Sequence, residues 1–170
     1  MNAIKELFTL AKMLFTSRPS DKEYVDLLFM RHFPFKGYRA MSWCGHIIMR
    51  YEHYEEMTGE VHPAWYATTA RHEKIHLLQA KHIKGDSWIR YYLSYVWKWL
   101  KLNPLVYPSK ASYYCNPYEV EAYANEQRQS YLDNYTGEHL RGKYTIPHAK
   151  RIYKSLGATP QAWKAYIKTI

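Results

Sequence analysis

The feature that most constrains this chain is a pair of histidines, His72 and His76, which with Glu73 form an HExxH pattern. Residues four apart lie one above the other on one face of an α-helix, so both imidazoles can reach a single metal ion. A glutamate next to the first histidine can then accept a proton from water activated by that metal. The pattern therefore requires a helix, a third ligand from another element and a cleft that admits a substrate.

The residues around the pattern predict the helix that it needs. Thr68 or Thr69 is suited to cap the first turn, and Gly85 is suited to end the helix. Lys84 falls in the predicted last turn, where a cation interacts favourably with the helix dipole. We therefore expect a helix from these threonines to about Lys84, with the two histidines in its first two turns.

A second predicted helix offers two candidates for the third ligand, Glu119 and Glu121. Asn116 is suited to the N-cap of this helix and Pro117 to its first position. Glu119 is then the third helical residue, where a carboxylate can fold back onto the N–H of the cap in a capping box. Because this gives Glu119 a structural role, we predict that Glu121 is the metal ligand and keep Glu119 as the alternative.

The two helices together resemble a known family of metallopeptidases. The HExxH pattern is followed, 45 residues after His76, by Glu121-Ala122-Tyr123-Ala124-Asn125. This is similar to the gluzincin arrangement, in which the third ligand is a glutamate in an ExxA(D/N) helix, and to compact bacterial and phage-associated zincin-like domains, including the ImmA/IrrE-type metallopeptidases. Gln79, together with residues 116–123, also resembles uncharacterised bacterial HExxHxxQ proteins. The resemblance covers roughly residues 68–135.

The resemblance implies a zinc-dependent hydrolase of peptide bonds. Zinc would be held by His72, His76 and Glu121, and Glu73 would act as the general base on the attacking water. Asn125 stands where many gluzincins have an aspartate that supports the first histidine, and an asparagine can still accept a hydrogen bond there. The substrate would be a peptide or protein, and a strand is expected beside the active-site helix.

The chain as a whole predicts an α+β fold that is mostly helical. Its 170 residues have the length of one domain with a core of its own. The resemblance narrows this to a zincin-like domain over residues 1–170, with the motif-bearing core at about 38–135 and helical extensions at both ends. Apolar spacing predicts a helix from Met1 to Phe15, a short helix over residues 20–29, and a strand or hairpin over residues 38–51.

Charge and aromatic content bear on the partners of the protein. Lys and Arg number 24 against 15 Asp and Glu, a formal charge of +9, and 17% of the residues are aromatic. The basic residues are scattered and carry no nucleic-acid-binding motif, so nucleic acid is not an expected partner. The aromatic segment 87–102 predicts a helix that is buried against the two ligand helices. The alternative function is a protein that binds zinc without catalysis, or that uses this segment and its charge to bind an anionic membrane surface or a partner.

Other sequence features concern the location of the protein. We find no secretory signal peptide and no uncharged apolar stretch long enough to span a bilayer. Cys44 and Cys115 do not amount to a disulfide scaffold, so a reducing compartment is acceptable. These features predict a cytoplasmic protein, peripheral at a membrane if the aromatic helix binds lipid, and they do not predict an oligomeric state.

Overall fold

The computed structural model describes residues 2–34, 40–59, 63–102, 109–138 and 142–170, and most of its regular structure is helical. The helices are α1 Ala3–Thr16, α2 Tyr54–Thr58, α3 Ala64–Lys81, α4 Trp88–Lys101, α5 Ser109–Tyr114, α6 Pro117–Asn125, α7 Gln129–Asp133, α8 Ala149–Ser155 and α9 Pro160–Ile167. The strands are β1 Asp26–Met30, β2 Ala40–Trp43 and β3 His46–Arg50, and short 3-10 turns lie at Pro19–Asp21 and Tyr51–His53. The predicted α+β class, mostly helical with a small sheet, is confirmed.

The three strands form one sheet in the order β1–β3–β2, with β1 parallel and β2 antiparallel to the central β3. A two-residue turn, Cys44-Gly45, joins β2 to β3, and both residues have positive φ (49° and 78°). Tight hairpin turns require this conformation, which glycine adopts without steric cost. The predicted strand or hairpin is therefore confirmed from Ala40 onward, and Tyr38 and Arg39 lie outside the described residues.

The sheet lies between α1 and α3 because both of its faces are apolar. On one face, Ile47 and Met49 of β3 pack with Trp65 of α3. On the other face, Ile48 packs with Leu10 of α1. Successive side chains of a strand point to opposite faces, so one strand contributes to two cores. The expected strand beside the HExxH helix is present.

Helix α6 is buried from Tyr118 to Asn125 and contacts α3, α5 and α9. Val120 of α6 packs in the same buried cluster as Trp163 of α9. The indole N–H of Trp163 donates a hydrogen bond to the carbonyl oxygen of Tyr114 at 2.7 Å. The C-terminal helices therefore cover the side of α6 that faces away from α3, and they fix the position of its side chains.

The helix predicted over residues 20–29 is wrong. A 3-10 turn occupies Pro19–Asp21, and residues 26–30 form β1, which pairs in parallel with β3. Periodicity alone does not separate a short apolar helix from a buried strand. Here the segment forms a strand because it pairs with β3, about twenty residues further along the chain.

The predicted start of the HExxH helix is also wrong. Helix α3 begins at Ala64, after Pro63, and ends at Lys81. Thr69 therefore lies inside the helix, where its hydroxyl donates to the carbonyl oxygen of Trp65 at 3.2 Å. As a consequence, His72 and its partner lie in the middle of α3 instead of its first two turns, and turns on both sides hold them in place.

Helix α4 is buried on one side only, although burial was expected for the segment as a whole. Ser87 is the N-cap of this helix, because its side chain accepts a hydrogen bond from the backbone N–H of Arg90. Trp88 and Tyr91 are buried, whereas the opposite side of the helix is exposed. Within the described ranges, no helix combines the length and the apolar character needed to cross a membrane.

Glu6 fastens α1 to the end of β1. Its two carboxylate oxygens accept hydrogen bonds from the backbone N–H groups of Arg31 and His32, both at 2.9 Å, and its side chain is only 1% exposed. Burial by itself raises the pKa of Glu6, but the two backbone donors and the His32 ring outweigh it and lower the pKa below its ordinary value.

We predict that Glu6→Gln lowers the free energy of unfolding by about 1–3 kcal/mol at pH 7, because the amide turns an NH₂ group toward one of the two backbone donors. A lowered folded-state pKa contributes stability above the unfolded pKa, and this stability is lost as the pH falls through the folded value. The difference from wild type should therefore shrink below about pH 4.3, the ordinary pKa of a glutamate. Chemical denaturation between pH 7 and pH 3 measures it. The control is Glu55→Gln on the exposed surface of α2, and a difference that shows no decrease between pH 7 and pH 3 contradicts the prediction.

Candidate metal centre

His72 and His76 meet Glu119 where α3 packs against α6. The Nε2 atoms of the two histidines are 3.2 Å apart. Each Nε2 atom lies 3.4 Å from a different oxygen of the Glu119 carboxylate. All three side chains are buried. Two imidazole nitrogens and a carboxylate therefore converge on one small volume.

The spacing of these atoms fits a tetrahedral metal site. Nitrogen and oxygen ligands about 2.0–2.1 Å from a tetrahedral zinc ion lie about 3.3–3.4 Å from one another. The Nε2–Nε2 distance of 3.2 Å is close to that value, and so is the distance of 3.4 Å from each Nε2 to its nearer oxygen of Glu119, a different oxygen for each histidine. Three protein ligands leave the fourth position to water or substrate, which distinguishes catalytic from structural zinc sites.

Hydrogen bonds on the far side of each ring orient both histidines. Nδ1 of His72 lies 3.0 Å from a carboxylate oxygen of Glu126, and Nδ1 of His76 lies 2.7 Å from the amide oxygen of Gln79. Each Nδ1 faces an acceptor and so carries a proton, which leaves Nε2 facing the shared volume, where it can offer its lone pair once a metal has displaced any proton there. This is the tautomer that a metal ligand requires.

The electrostatics of the cluster favour a positive charge among its three ligand groups. Burial by itself lowers the pKa of His72, but the carboxylates of Glu119 and Glu126 outweigh it and raise the pKa to about 10. Burial by itself also lowers the pKa of His76, but the negative charge of Glu119 outweighs it and raises this pKa. Burial raises the pKa of Glu119, but the two histidines outweigh it and lower this pKa. Without a metal, protons supply the positive charge, and a divalent cation can replace them.

The structure places Glu119, and not the preferred candidate Glu121, beside the two histidines. The capping box does not form, because the backbone N–H of Asn116 already donates to the carbonyl oxygen of Tyr113 at 3.0 Å. Glu119 instead turns into the interface with α3, where the hydroxyl of Tyr95 donates to its Oε1 at 2.8 Å. The carboxylate that the fold brings to the histidines is therefore the alternative candidate.

Glu121 acts on the same site through Gln79. The amide nitrogen of Gln79 donates to Oε2 of Glu121 and to the carbonyl oxygen of Tyr118, both at 2.9 Å. Tyr131 donates its hydroxyl to the other oxygen of Glu121 at 2.6 Å. Because both partners of the amide nitrogen are acceptors, the amide oxygen of Gln79 must face His76. Glu121 is thus a positioning residue in this geometry.

Glu126, which the sequence reasoning missed, takes the role expected of Asn125. The amide of Asn125 donates to a backbone carbonyl of α6 and to the hydroxyl of Tyr144, both at 2.8 Å, and not to a histidine. Glu126 follows Glu119 by seven residues, two turns of helix, and therefore shares its side of α6. This spacing is the signal in the sequence that could have identified Glu126 as the partner of His72.

Glu73 lines a cleft that also reaches His72. The cleft has a volume of about 1060 Å³. Its other lining residues are mainly aromatic and cationic, and they include Trp65, Trp99, Tyr113, Tyr114, Tyr123, Lys110 and Lys164. The Oε2 atom of Glu73 is buried and accepts no hydrogen bond from the described residues. A buried carboxylate oxygen without a donor is costly, and such groups are found at functional sites. This unoccupied oxygen beside the cleft makes Glu73 a candidate proton acceptor.

Known proteins give no independent guide to the role of this site. Comparison with protein-family models, with curated proteins and with solved structures finds no match to this chain. The function must therefore be argued from the geometry of His72, His76, Glu119 and Glu73.

We predict that Glu119→Gln removes most of the bound zinc, whereas the matched Glu121→Gln variant keeps it. An amide is a poor zinc ligand, and only Glu119 has its carboxylate beside both histidines. Plasma emission spectrometry of purified protein measures the zinc content, which should be about one ion per chain in wild type. Loss of zinc from Glu121→Gln with retention in Glu119→Gln would reverse the ligand assignment.

A second prediction concerns the group that orients His72. Glu126→Leu removes the acceptor of the Nδ1 proton and should weaken zinc affinity by about 10–100-fold. Glu126→Gln keeps an acceptor but not the charge, so its loss should be smaller. Competition with a chromophoric chelator measures both affinities, with Glu55→Gln as the control. An unchanged affinity in Glu126→Leu would show that this hydrogen bond does not support the site.

Proposed function

We propose that this protein is a zinc-dependent peptidase with a zincin-like fold, in which His72, His76 and Glu119 hold zinc and Glu73 is the general base. The observation that carries the proposal is the buried convergence of His72 Nε2, His76 Nε2 and the Glu119 carboxylate on one small volume, with each Nδ1 hydrogen-bonded on the far side of its ring. Two histidines and a glutamate are the ligand set of several zinc peptidases. The gluzincin-like order of the motifs along the chain supports the same reaction, with Glu119 in the place of Glu121.

The donor set suits zinc. Imidazole nitrogen and carboxylate oxygen in tetrahedral array, with one position open, are typical of catalytic zinc, whereas magnesium and calcium prefer six or more oxygen ligands. When bound, zinc supplies a Lewis acid that polarises the substrate carbonyl and makes water more acidic. The proton transfers of the reaction are then carried out by side chains of the cleft.

Glu73 first accepts and then donates the proton in the proposed hydrolysis. Its carboxylate accepts a proton from water while the water oxygen forms a bond to the carbonyl carbon of the substrate. Glu73 then delivers that proton to the amide nitrogen as the carbon–nitrogen bond breaks, and an acid and an amine leave. Oε2 of Glu73 is buried and receives no hydrogen bond from the described residues, so a proton held on this oxygen would displace no described donor.

The shape of the cleft supports a peptide as the substrate. Strand β2 lies at an edge of the described sheet, and its first residue, Ala40, lines the cleft. An extended peptide can pair with the free main-chain groups of such an edge. The cleft volume of about 1060 Å³ lies just above the range of about 300–1,000 Å³ for small-ligand pockets, so it has room for several substrate side chains.

We predict that Glu73→Gln lowers peptide hydrolysis by about 10²–10⁴-fold, because the amide cannot accept the proton from water. The same variant should keep about one zinc per chain, since Glu73 is not one of the ligand groups. Zinc-loaded protein is incubated with a peptide library in H₂¹⁸O, and mass spectrometry identifies new carboxyl termini that carry the label. Glu55→Gln is the control.

Two outcomes would overturn the proposal. Wild-type protein that binds zinc but cleaves no peptide in the library would leave the site as a zinc site without peptidase activity. Full activity in Glu73→Gln would remove this residue from the mechanism.

A further inference from the structure

Helices α1 and α4 pack against each other and expose large apolar side chains on their outer faces. We define the α1–α4 face by six of them, Leu7, Phe8 and Phe15 of α1 and Leu93, Trp97 and Leu100 of α4. Phe8, Phe15, Leu93 and Trp97 are 72%, 74%, 65% and 60% exposed, respectively. Single exposed apolar residues are ordinary, but a group of this size on adjacent helices indicates a surface that is covered in use.

The charges on these two helices are almost all positive. Helix α4 carries Arg90 and Lys101 near its two ends and has no acidic residue; its third cation, Lys98, lies over the buried Tyr118 ring on the inner side of the helix. Helix α1 carries lysines at positions 5 and 12, and its single acidic residue, Glu6, is buried and bonded to the end of β1. The face therefore presents apolar side chains and cations without exposed carboxylates.

Apolar side chains flanked by cations match the surface of an anionic membrane. Aromatic and aliphatic groups enter the region between headgroups and acyl chains, while lysines remain at the phosphates. The Nζ atom of Lys101 lies 5.3 Å from the centre of the Trp97 ring. Tryptophan with a neighbouring cation suits a membrane interface, where the ring is half desolvated and the charge stays in water.

We propose that the α1–α4 face binds the surface of an anionic membrane, with both helices lying in the plane of the interface. Helix α4 has 14 residues and is about 21 Å long at 1.5 Å per residue, and it carries charge at both ends, as an interfacial helix does. Trp99 of the same helix lines the cleft, so the bound membrane lies near the candidate active site. The inference does not depend on the proposed peptidase function.

Co-sedimentation of the full chain with vesicles tests the inference. Vesicles of phosphatidylcholine with 30% phosphatidylglycerol, a composition chosen to give the surface negative charge, should bind the protein at least tenfold more tightly than pure phosphatidylcholine. Binding should weaken as salt is added, because the lysine contribution is screened. The measurement needs neither substrate nor bound zinc, so its outcome is separate from that of the hydrolysis assay.

Paired variants assign the binding to the face. Phe8→Ser with Phe15→Ser, and separately Leu93→Ser with Trp97→Ser, should each lower the affinity for anionic vesicles at least tenfold. The matched control is Tyr24→Ser, whose side chain is exposed outside the two helices. Circular dichroism verifies that each variant is folded.

Three results would overturn the inference. The first is no binding of the wild-type protein to anionic vesicles at low salt. The second is equal binding by wild type and both double variants, which would indicate adsorption by charge alone. The third is saturable binding to an acidic polypeptide such as polyglutamate without binding to vesicles, which would identify a protein partner for the face.

Discussion

The contact between α3 and α6 is the interaction on which the candidate site depends. Each helix supplies ligand groups, and each supplies a group that orients a histidine: Gln79 lies on α3 and Glu126 at the end of α6. The guanidinium of Arg71 adds a further link, because its Nε donates to the carbonyl oxygen of Glu126 at 2.7 Å. The sheet packs against the outer side of α3, and α9 packs against the outer side of α6. A small relative shift of the helices would separate the ligand atoms, so the rest of the fold acts to prevent that shift.

Helix α4 has one side that packs in the core beside the candidate metal site and another side that faces solvent. Its inner side carries tyrosines whose rings pack in the core while their hydroxyls reach the polar site: Tyr95 donates to Glu119, and the Tyr91 hydroxyl lies 3.2 Å from Nδ1 of His76. Tyrosine combines a large apolar ring with a polar tip, which a buried site needs. The outer side of α4 carries aliphatic residues and Trp97 in contact with solvent. Part of the high aromatic content is thus explained by support of the site.

Local chemistry in the sequence was enough to predict several elements. The cap at Asn116, the place of Pro117 in the first helical position and the hairpin within residues 38–51 depend on residues close together in the chain, and all three are present. Features that depend on distant parts of the chain were missed. Strand β1 exists because β3 pairs with it. The capping box expected at Glu119 is absent because the backbone N–H of Asn116 donates to the carbonyl oxygen of Tyr113 in α5, a helix not predicted from the sequence. A local motif forms only when the tertiary structure does not supply its groups with other hydrogen-bond partners.

The separation of the ligands along the chain has a mechanical consequence. Cys44 and Cys115 are both free, so neither cysteine contributes a covalent cross-link. A metal ion bound at once by His72 and Glu119 would join two positions 47 residues apart. A permanent link across a loop of that length removes unfolded-chain entropy worth on the order of 4 kcal/mol. The ion would therefore act as a cross-link between α3 and α6, and its removal would first weaken the packing of these two helices.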